Sequence, residues 1–297
     1  MRASLGQNFL TNKHIAEKIV ESANLSSSDN VLEIGPGKGI LTELLAQKAG
    51  RVLAVEIDSE LIKTLKKKFK ERDLHVCHPR GNGDPEKSLD SRLRGNDKKR
   101  ITIINADILK TNLPKLLKEN NFKNYKIVAN LPYYITSKII RLLLETRYPP
   151  AEMVLMVQKE VGERICAPSG KESILSISVK LYAEPEIIFF VPRENFDPIP
   201  EVDSAVIRIK RKENIPDMDT KKLFSLVKAG FSSKRKMITN NLSTSFNIPK
   251  NELAEILKKA GIKPTQRAQE LSVDDWLRLC DVLAKLKTQS AKRKTKT

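Results

Sequence analysis

The sequence predicts an α/β fold: a mixed sheet of about seven strands covered by helices, then a small all-helical domain. Three observations predict it. From Val31 to about Val157, short apolar runs alternate with helical patterns, the signature of a parallel sheet with crossover helices. Glycines and carboxylates stand at the ends of those runs. Past a polar linker at 213–219 only helical periodicity remains.

The strand candidates are VLEIG at 31–35, VLAVEI at 52–57, ITIINAD at 101–107, KIVAN at 126–130 and MVLMV at 153–157. Between them Leu41, Leu44 and Leu45 line one helical face, and Leu61, Ile62, Leu65 and Phe69 line another. EIIFFV at 186–191 and SAVIRIK at 204–210 read as an antiparallel edge hairpin that completes the sheet. One stretch breaks the rhythm. CHPRGNGDPEKSLDSRLRGNDKK, 77–99, lies where a short loop is expected, holds two R-G-N repeats and lacks periodicity. It reads as a solvated surface insertion, since lengthening a loop costs little entropy, with an extra RNA-binding arm as the alternative. The expected domains are therefore 1–212, a helical 217–286, and an unstructured basic tail over 287–297.

The composition narrows the function. The 297 residues include 54 Lys and Arg against 36 Asp and Glu, a net charge of +18. That excess suits a polyanionic partner, nucleic acid or an acidic membrane surface. No apolar run reaches the ~20 residues of a membrane helix, so no membrane span is expected. The start MRASLGQNFL lacks a signal core and an Arg/Ser-rich leader. Cys77, Cys166 and Cys280 lie far apart, which argues against disulfides or a zinc site and for a reducing cytoplasm. His14, His75 and His78 accompany no nucleophile signature, and no metal is expected.

Ligands of an open α/β sheet bind beyond the carboxyl ends of its strands. There EIGPGKG places Gly35, Gly37 and Gly39, which fit a phosphate cradle, a dinucleotide site or a plain turn. No G-x-x-x-x-G-K-[ST] is present, so a P-loop is excluded. Glu56 ends the second strand, where a carboxylate accepts from both hydroxyls of a ribose. Asp107 ends the third, where it accepts from an exocyclic amine. Together the three strand ends describe a pocket for an adenosine-containing cofactor.

NAD and S-adenosylmethionine both qualify, and IVANLPYYIT, 127–136, separates them. Asn130, Leu131, Pro132 and Tyr133 match [DNS]-x-P-[YFW], the pattern of enzymes that methylate an exocyclic amine. Adenine N6 is a poor nucleophile because its lone pair is delocalised into the ring. The Asn carbonyl and a main-chain carbonyl in a proline-stiffened turn accept both N6 hydrogens, turning the lone pair toward a methyl donor. A tyrosine face then holds the flipped base within ~3–3.5 Å of the methyl carbon.

With these residues in view, the chain resembles the ribosomal RNA small-subunit adenine dimethyltransferase family from about Gly6 to Leu286, broken only by 77–99. The shared marks are GQNFL at 6–10, EIGPG at 33–37, VEID at 55–58, AD at 106–107, NLPY at 130–133 and QKE at 158–160. FDPIPEVDSAV at 196–206, FSSKRKMITNNL at 231–242 and RAQELS at 267–272 continue them. The resemblance implies a Rossmann-like class I methyltransferase domain with a small helical C-terminal domain, and S-adenosylmethionine as cofactor. It implies that Asn8 and Leu10 close over the methionine end of the cofactor, with Gly35 beside the same moiety. Glu56 would take the ribose, Asp107 the adenine amine, and Asn130 the reacting centre. Tyr133 and Phe196 would stack on the target base, though Phe196 beside Pro198 and Pro200 also fits a core position. With GQNFL starting at residue 6, no transit peptide is expected.

Two relatives of that family are rivals: the 23S rRNA adenine methyltransferase of macrolide resistance, and non-catalytic ribosome-assembly or transcription factors of the same fold. GPG, QKE, KRK and RAQELS favour the small-subunit enzyme, and an intact NLPY favours retained catalysis. Lys234, Arg235 and Lys236 are expected to contact RNA phosphates, which position a substrate without reading its sequence. The expected activity is dimethylation of N6 on two adjacent adenosines in the 3′-terminal hairpin loop of 16S rRNA. The expected partner is the assembling 30S subunit, and the protein itself is expected to be monomeric.

Overall fold

The computed structural model describes residues 8–69, 74–77 and 101–294. In chain order the elements are β1 (Phe9–Leu10), α1 (Lys13–Ser22), β2 (Asn30–Ile34), α2 (Ile40–Lys48), β3 (Arg51–Glu56), α3 (Ser59–Lys68) and β4 (Leu74–Cys77). Then come β5 (Ile101–Asn105), α4 (Leu113–Glu119), β6 (Tyr125–Asn130), α5 (Thr136–Glu145), β7 (Glu152–Gln158), α6 (Lys159–Ile165) and α7 (Ile174–Tyr182). The chain continues with β8 (Ala183–Val191), β9 (Phe196–Asp197), β10 (Ser204–Arg211), α8 (Thr220–Gly230), α9 (Ile238–Phe246), α10 (Lys250–Lys259) and α11 (Val273–Lys294).

The chain forms two compact units, one of Met1–Glu163 with Glu184–Arg211, the other of Arg164–Ala183 with Lys212–Thr297. The second is thus discontinuous in sequence: it takes in α7, which the sequence reading assigned to the first.

In the first unit the main sheet runs β4-β5-β3-β2-β6-β7-β10-β8. The strands from β4 to β7 pair in parallel, and β10 is antiparallel to β7. The sheet has eight strands among the described residues, not about seven. The addition is β4, whose four residues LHVC pair with Leu74 opposite Ile101 at the edge. So short a run leaves no periodicity to read, and it claims Cys77 from the expected insertion. The remainder of that insertion, 78–99, lies outside the described residues.

The parallel strands are continuous apolar runs because both faces are covered. Val31, Val52, Val128 and Val154 pack with Ile19, Leu41 and Leu45 from α1 and α2. On the same face by register, Ile101 and Ile103 pack with Ile62 and Leu65 of α3. The alternate residues Leu32, Leu53, Ile127 and Leu155 face the other way and are fully buried too. The chain builds outward from β2 through β3 to β5, then returns to the other flank of β2 as β6 and β7. A crevice opens where the order reverses, at the carboxyl ends of the strands. A separate antiparallel pair, β1 with β9, sets Phe9 opposite Asp197 and Leu10 opposite Phe196.

The second unit is helical and centres on Trp276, which is fully buried and stacks on Phe231 at 6.1 Å between ring centroids. Buried Asn241 ties the α8–α9 turn together by donating to the carbonyls of Gly230 (2.6 Å) and Ser233 (3.0 Å). The backbone of α11 is helical to Lys294, which corrects the expectation of an unstructured tail from 287. Among the described residues no helix is long and apolar enough to cross a membrane.

Candidate active site

The strand ends of the first unit enclose one cavity, and Asn8, Leu10, Gly35, Glu56, Asp107, Leu131, Pro132, Tyr133 and Asn130 all line it. The glycine turn after β2 makes this possible. Gly35, Gly37 and Gly39 have φ of +70°, +58° and +75°, a region that side chains with a Cβ rarely adopt. A Cβ on Gly37 would stand 3.1 Å from the Phe9 ring, so glycine there lets β1 close against the turn.

Glu56 is 3% exposed at the tip of β3. Its Oε2 accepts from the Gly37 N–H at 3.2 Å and its Oε1 from the Asp58 N–H at 2.9 Å. Burial raises its pKa, and these two donors oppose the rise. They orient the carboxylate while leaving lone pairs on both oxygens. Asp107 is held by an N–H from Leu109 at 3.0 Å, with the Lys110 amine 3.8 Å away.

Asn130 ends β6, and its Nδ2 donates to the Asn8 carbonyl at 3.3 Å. That bond assigns Nδ2 to the β1 side and makes Oδ1 the acceptor left to the cavity. Pro132 (φ −56°) fixes the turn that follows. The Pro132 carbonyl already accepts from the Ile135 N–H and the Thr136 hydroxyl, both at 3.2 Å. Tyr133 opens a 3₁₀ turn over Tyr133–Ile135, and its Oη lies 2.9 Å from Ser204 Oγ on β10. This bond anchors the far end of the ring. Burial raises the Tyr133 pKa, the Ser204 bond opposes this, and Asp203 adds to the rise.

Phe196 is buried. It is 3% exposed, pairs with Leu10 across the β1–β9 sheet and packs in the core with Val191 and Val206. This burial fits the core position already given as its alternative. Lys234, Arg235 and Lys236 are all exposed in the turn between α8 and α9.

Sequence reasoning assigned no role to Glu33, Phe9 or Ser204. Glu33 lies inside β2, is 1% exposed and lines the cavity, and its Oε2 has no hydrogen-bond partner among the described residues. Burial pushes its pKa up to about 8; Glu56 adds to the rise and Lys68 opposes it. A carboxylate within an apolar strand, two residues before a glycine turn, was the available signal. No such signal marks Ser204, whose role depends on β10 crossing behind the turn.

Comparison with known proteins places the chain in a family. The sequence profile described as ribosomal RNA adenine dimethylase matches residues 1–79 and 86–285. A protein named ribosomal RNA small subunit methyltransferase A from Fusobacterium nucleatum is 41% identical, over 93% of this chain and 95% of its own. One of the same name from Dehalococcoides mccartyi is 39% identical, over 94% and 87%. Among solved structures, a dimethyladenosine transferase from Plasmodium falciparum superimposes with a TM-score of 0.69 at 29% identity, over 91% of this chain and 95% of that one. The 23S rRNA methyltransferase ErmE superimposes at 0.67 with 26% identity, over 93% and 100%. With a profile spanning nearly the whole chain and relatives near 40% identity over more than nine-tenths of it, the chain belongs to the ribosomal RNA adenine dimethylase family.

Proposed function

We propose that this chain transfers two methyl groups in turn to N6 of each of two adjacent adenosines in the 3′-terminal hairpin loop of 16S rRNA. The substrate is the assembling small subunit, S-adenosylmethionine is the donor, and the enzyme works as a cytoplasmic monomer. The observation that carries the reading is the Asn130 amide, tethered to Asn8 through its nitrogen so that its oxygen is left to the cavity.

The cavity suits an adenosine-bearing donor. Glu33 brings a buried oxygen without a partner among the described residues, and Glu56 a carboxyl already aimed by two backbone donors. In this reading Glu56 holds the ribose hydroxyls, Asp107 the adenine amine, and Asn8, Leu10 and Gly35 enclose the methionine end. When bound, S-adenosylmethionine supplies an electrophilic methyl on a good leaving group.

The residues of the chain supply position. Asn130 Oδ1 and the Leu131 carbonyl accept the two N6 hydrogens, since the Pro132 carbonyl is engaged within its own turn. Tyr133, pinned by Ser204, stacks on the flipped adenine. After the first transfer one hydrogen remains on N6, so one acceptor suffices and the other must face a methyl group. Lys234, Arg235 and Lys236 hold backbone phosphates of the substrate.

Relatives at 38–41% identity carry a small-subunit name, while ErmE stands at 26%; this supports the small-subunit substrate over the large-subunit one. The test is to incubate the protein with labelled S-adenosylmethionine and either undermethylated small subunits or large-subunit rRNA, then map the label. Dimethyladenosine pairs near the 3′ end of 16S rRNA are expected. Label in the large-subunit RNA, or none in either, overturns the proposal.

A further inference from the structure

We propose that Lys159 and Phe190 form a phosphate subsite for single-stranded RNA on the sheet that carries the base pocket, the ring holding the ammonium in place and leaving its charge to a phosphodiester. The inference rests on the RNA-methylating reading above and extends it to a pair of residues that reading does not use.

Phe190 is 47% exposed on β8, the outermost strand of the sheet at that edge. Lys159 Nζ stands 5.2 Å from the centroid of its ring. The pair is wired to the pocket. The Lys159 N–H donates to the Asp203 carbonyl at 3.0 Å, and the next residue, Ser204, pairs with Gln158 across β7 and β10. Ser204 Oγ in turn lies 2.9 Å from Tyr133 Oη, and Tyr133 lines the cavity. Lys159 thus follows directly on β7, the strand whose Met156 pairs with Asn130 of the cavity.

The electrostatics separate Lys159 from the other lysines held over rings in this unit. Lys38 lies 4.8 Å from the Phe9 centroid but also 3.6 Å from Asp197. Lys68 lies 5.8 Å from the Phe69 centroid but 3.0 Å from Glu43. Each of these amines thus has a carboxylate partner. Among the described residues no carboxylate lies within 4.0 Å of the Lys159 amine. An aromatic face attracts an ammonium through its quadrupole without cancelling its net charge. It restricts a flexible side chain and leaves the full positive charge for an anion. An exposed aromatic joined to an uncompensated cation beside a base pocket is the combination that tracks a single strand.

The experiment is a salt titration of binding, on the full-length protein, to small ribosomal subunits that lack the two dimethyladenosines. Loss of one phosphate contact to a single strand lowers the slope of log K against log salt by about 0.7, which at about 0.1 M salt weakens binding roughly fivefold. Lys159→Ala is expected to do both, while its affinity for S-adenosylmethionine and its thermal midpoint stay at wild-type values. Lys159→Arg is expected to keep the wild-type slope. Phe190→Leu keeps the charge and loses the ring, so it is expected to weaken binding about two- to fivefold at an unchanged slope. An unchanged slope for Lys159→Ala overturns the subsite whatever happens to affinity, because packing of the lysine stem does not release counterions. Wild-type protein that methylates these subunits while Lys159→Ala matches it in slope defeats the subsite alone. Wild-type protein that neither binds nor methylates them defeats the RNA-methylating reading and the subsite with it.

Discussion

Replacing Asn130 by Ala separates positioning from folding. Among the described residues the Asn130 side chain makes one hydrogen bond, 3.3 Å long, to the Asn8 carbonyl, and both residues are only partly buried. Water can take its place, so the stability cost is about 1 kcal/mol or less. That corresponds to a midpoint shift of roughly 2–4 °C. The catalytic cost is larger. Without Oδ1 one N6 hydrogen loses its acceptor and the lone pair is no longer held toward the methyl group. By analogy with removing a single preorganised polar group from another active site, the rate should fall by about 10²–10³, some 2.7–4 kcal/mol. The assay is single-turnover transfer from labelled S-adenosylmethionine to saturating undermethylated small subunits, with donor affinity measured by calorimetry. Donor affinity should stay within about threefold of wild type, under 1 kcal/mol. Asn130→Asp should fall in between, since it keeps an acceptor but sets a carboxylate oxygen against the Asn8 carbonyl. A rate for Asn130→Ala within a few-fold of wild type would refute the clamp.

Three further outcomes follow from local geometry. Gly37→Ala adds a Cβ 3.1 Å from the Phe9 ring at φ +58°, which costs about 1–2 kcal/mol in backbone strain and pushes β1 off the cavity. Calorimetry should show donor affinity weakened roughly tenfold, about 1.4 kcal/mol, and an unchanged value contradicts the closure. Glu33 has a folded pKa of about 8, above its ordinary 4.5, so the native state holds a proton that the unfolded chain releases. Stability contributed by that proton is fully present at low pH and is lost as pH rises from about 4.5 to about 8. Glu33→Gln should therefore gain on wild type in melting temperature across that window, by up to about 1.4 kcal/mol per pH unit, and parallel curves refute the assignment. Gly230→Ala would drive a Cβ into Trp276 Cη2 and bring it to 2.9 Å from Ile238 Cδ1. Overpacking of about 1–3 kcal/mol should outweigh the helix-propensity gain of alanine, read from Trp276 fluorescence during denaturant unfolding. A midpoint at or above wild type would show that the helices yield.

The parallel strands were legible because burial on both faces leaves unbroken apolar runs, and β2, β3, β5, β6 and β7 all lie where such runs stand. The strand β4 was not legible, because four residues at an edge carry no period. The cavity residues were legible because an open sheet delivers its strand ends to one side, so glycines and carboxylates in those positions converge without further information. The burial of Phe196 was harder to read, for the opposite reason. An aromatic beside two prolines has no period, and its environment depends on β9 pairing with β1, some 186 residues earlier in the chain.

By itself the chain determined the alternation of strand and helix, the turn chemistry at Gly35, Gly37 and Gly39, and the Asn-Leu-Pro-Tyr corner. These depend on neighbours within a few residues, where backbone sterics and periodic burial operate. Only the tertiary structure decided that Asn130 is steered by Asn8, that Tyr133 is pinned by Ser204, and that Lys159 faces a ring rather than a carboxylate. Each of those contacts joins segments dozens of residues apart. Which polar group meets which is set by strand order and register, and these emerge only when the whole sheet is assembled.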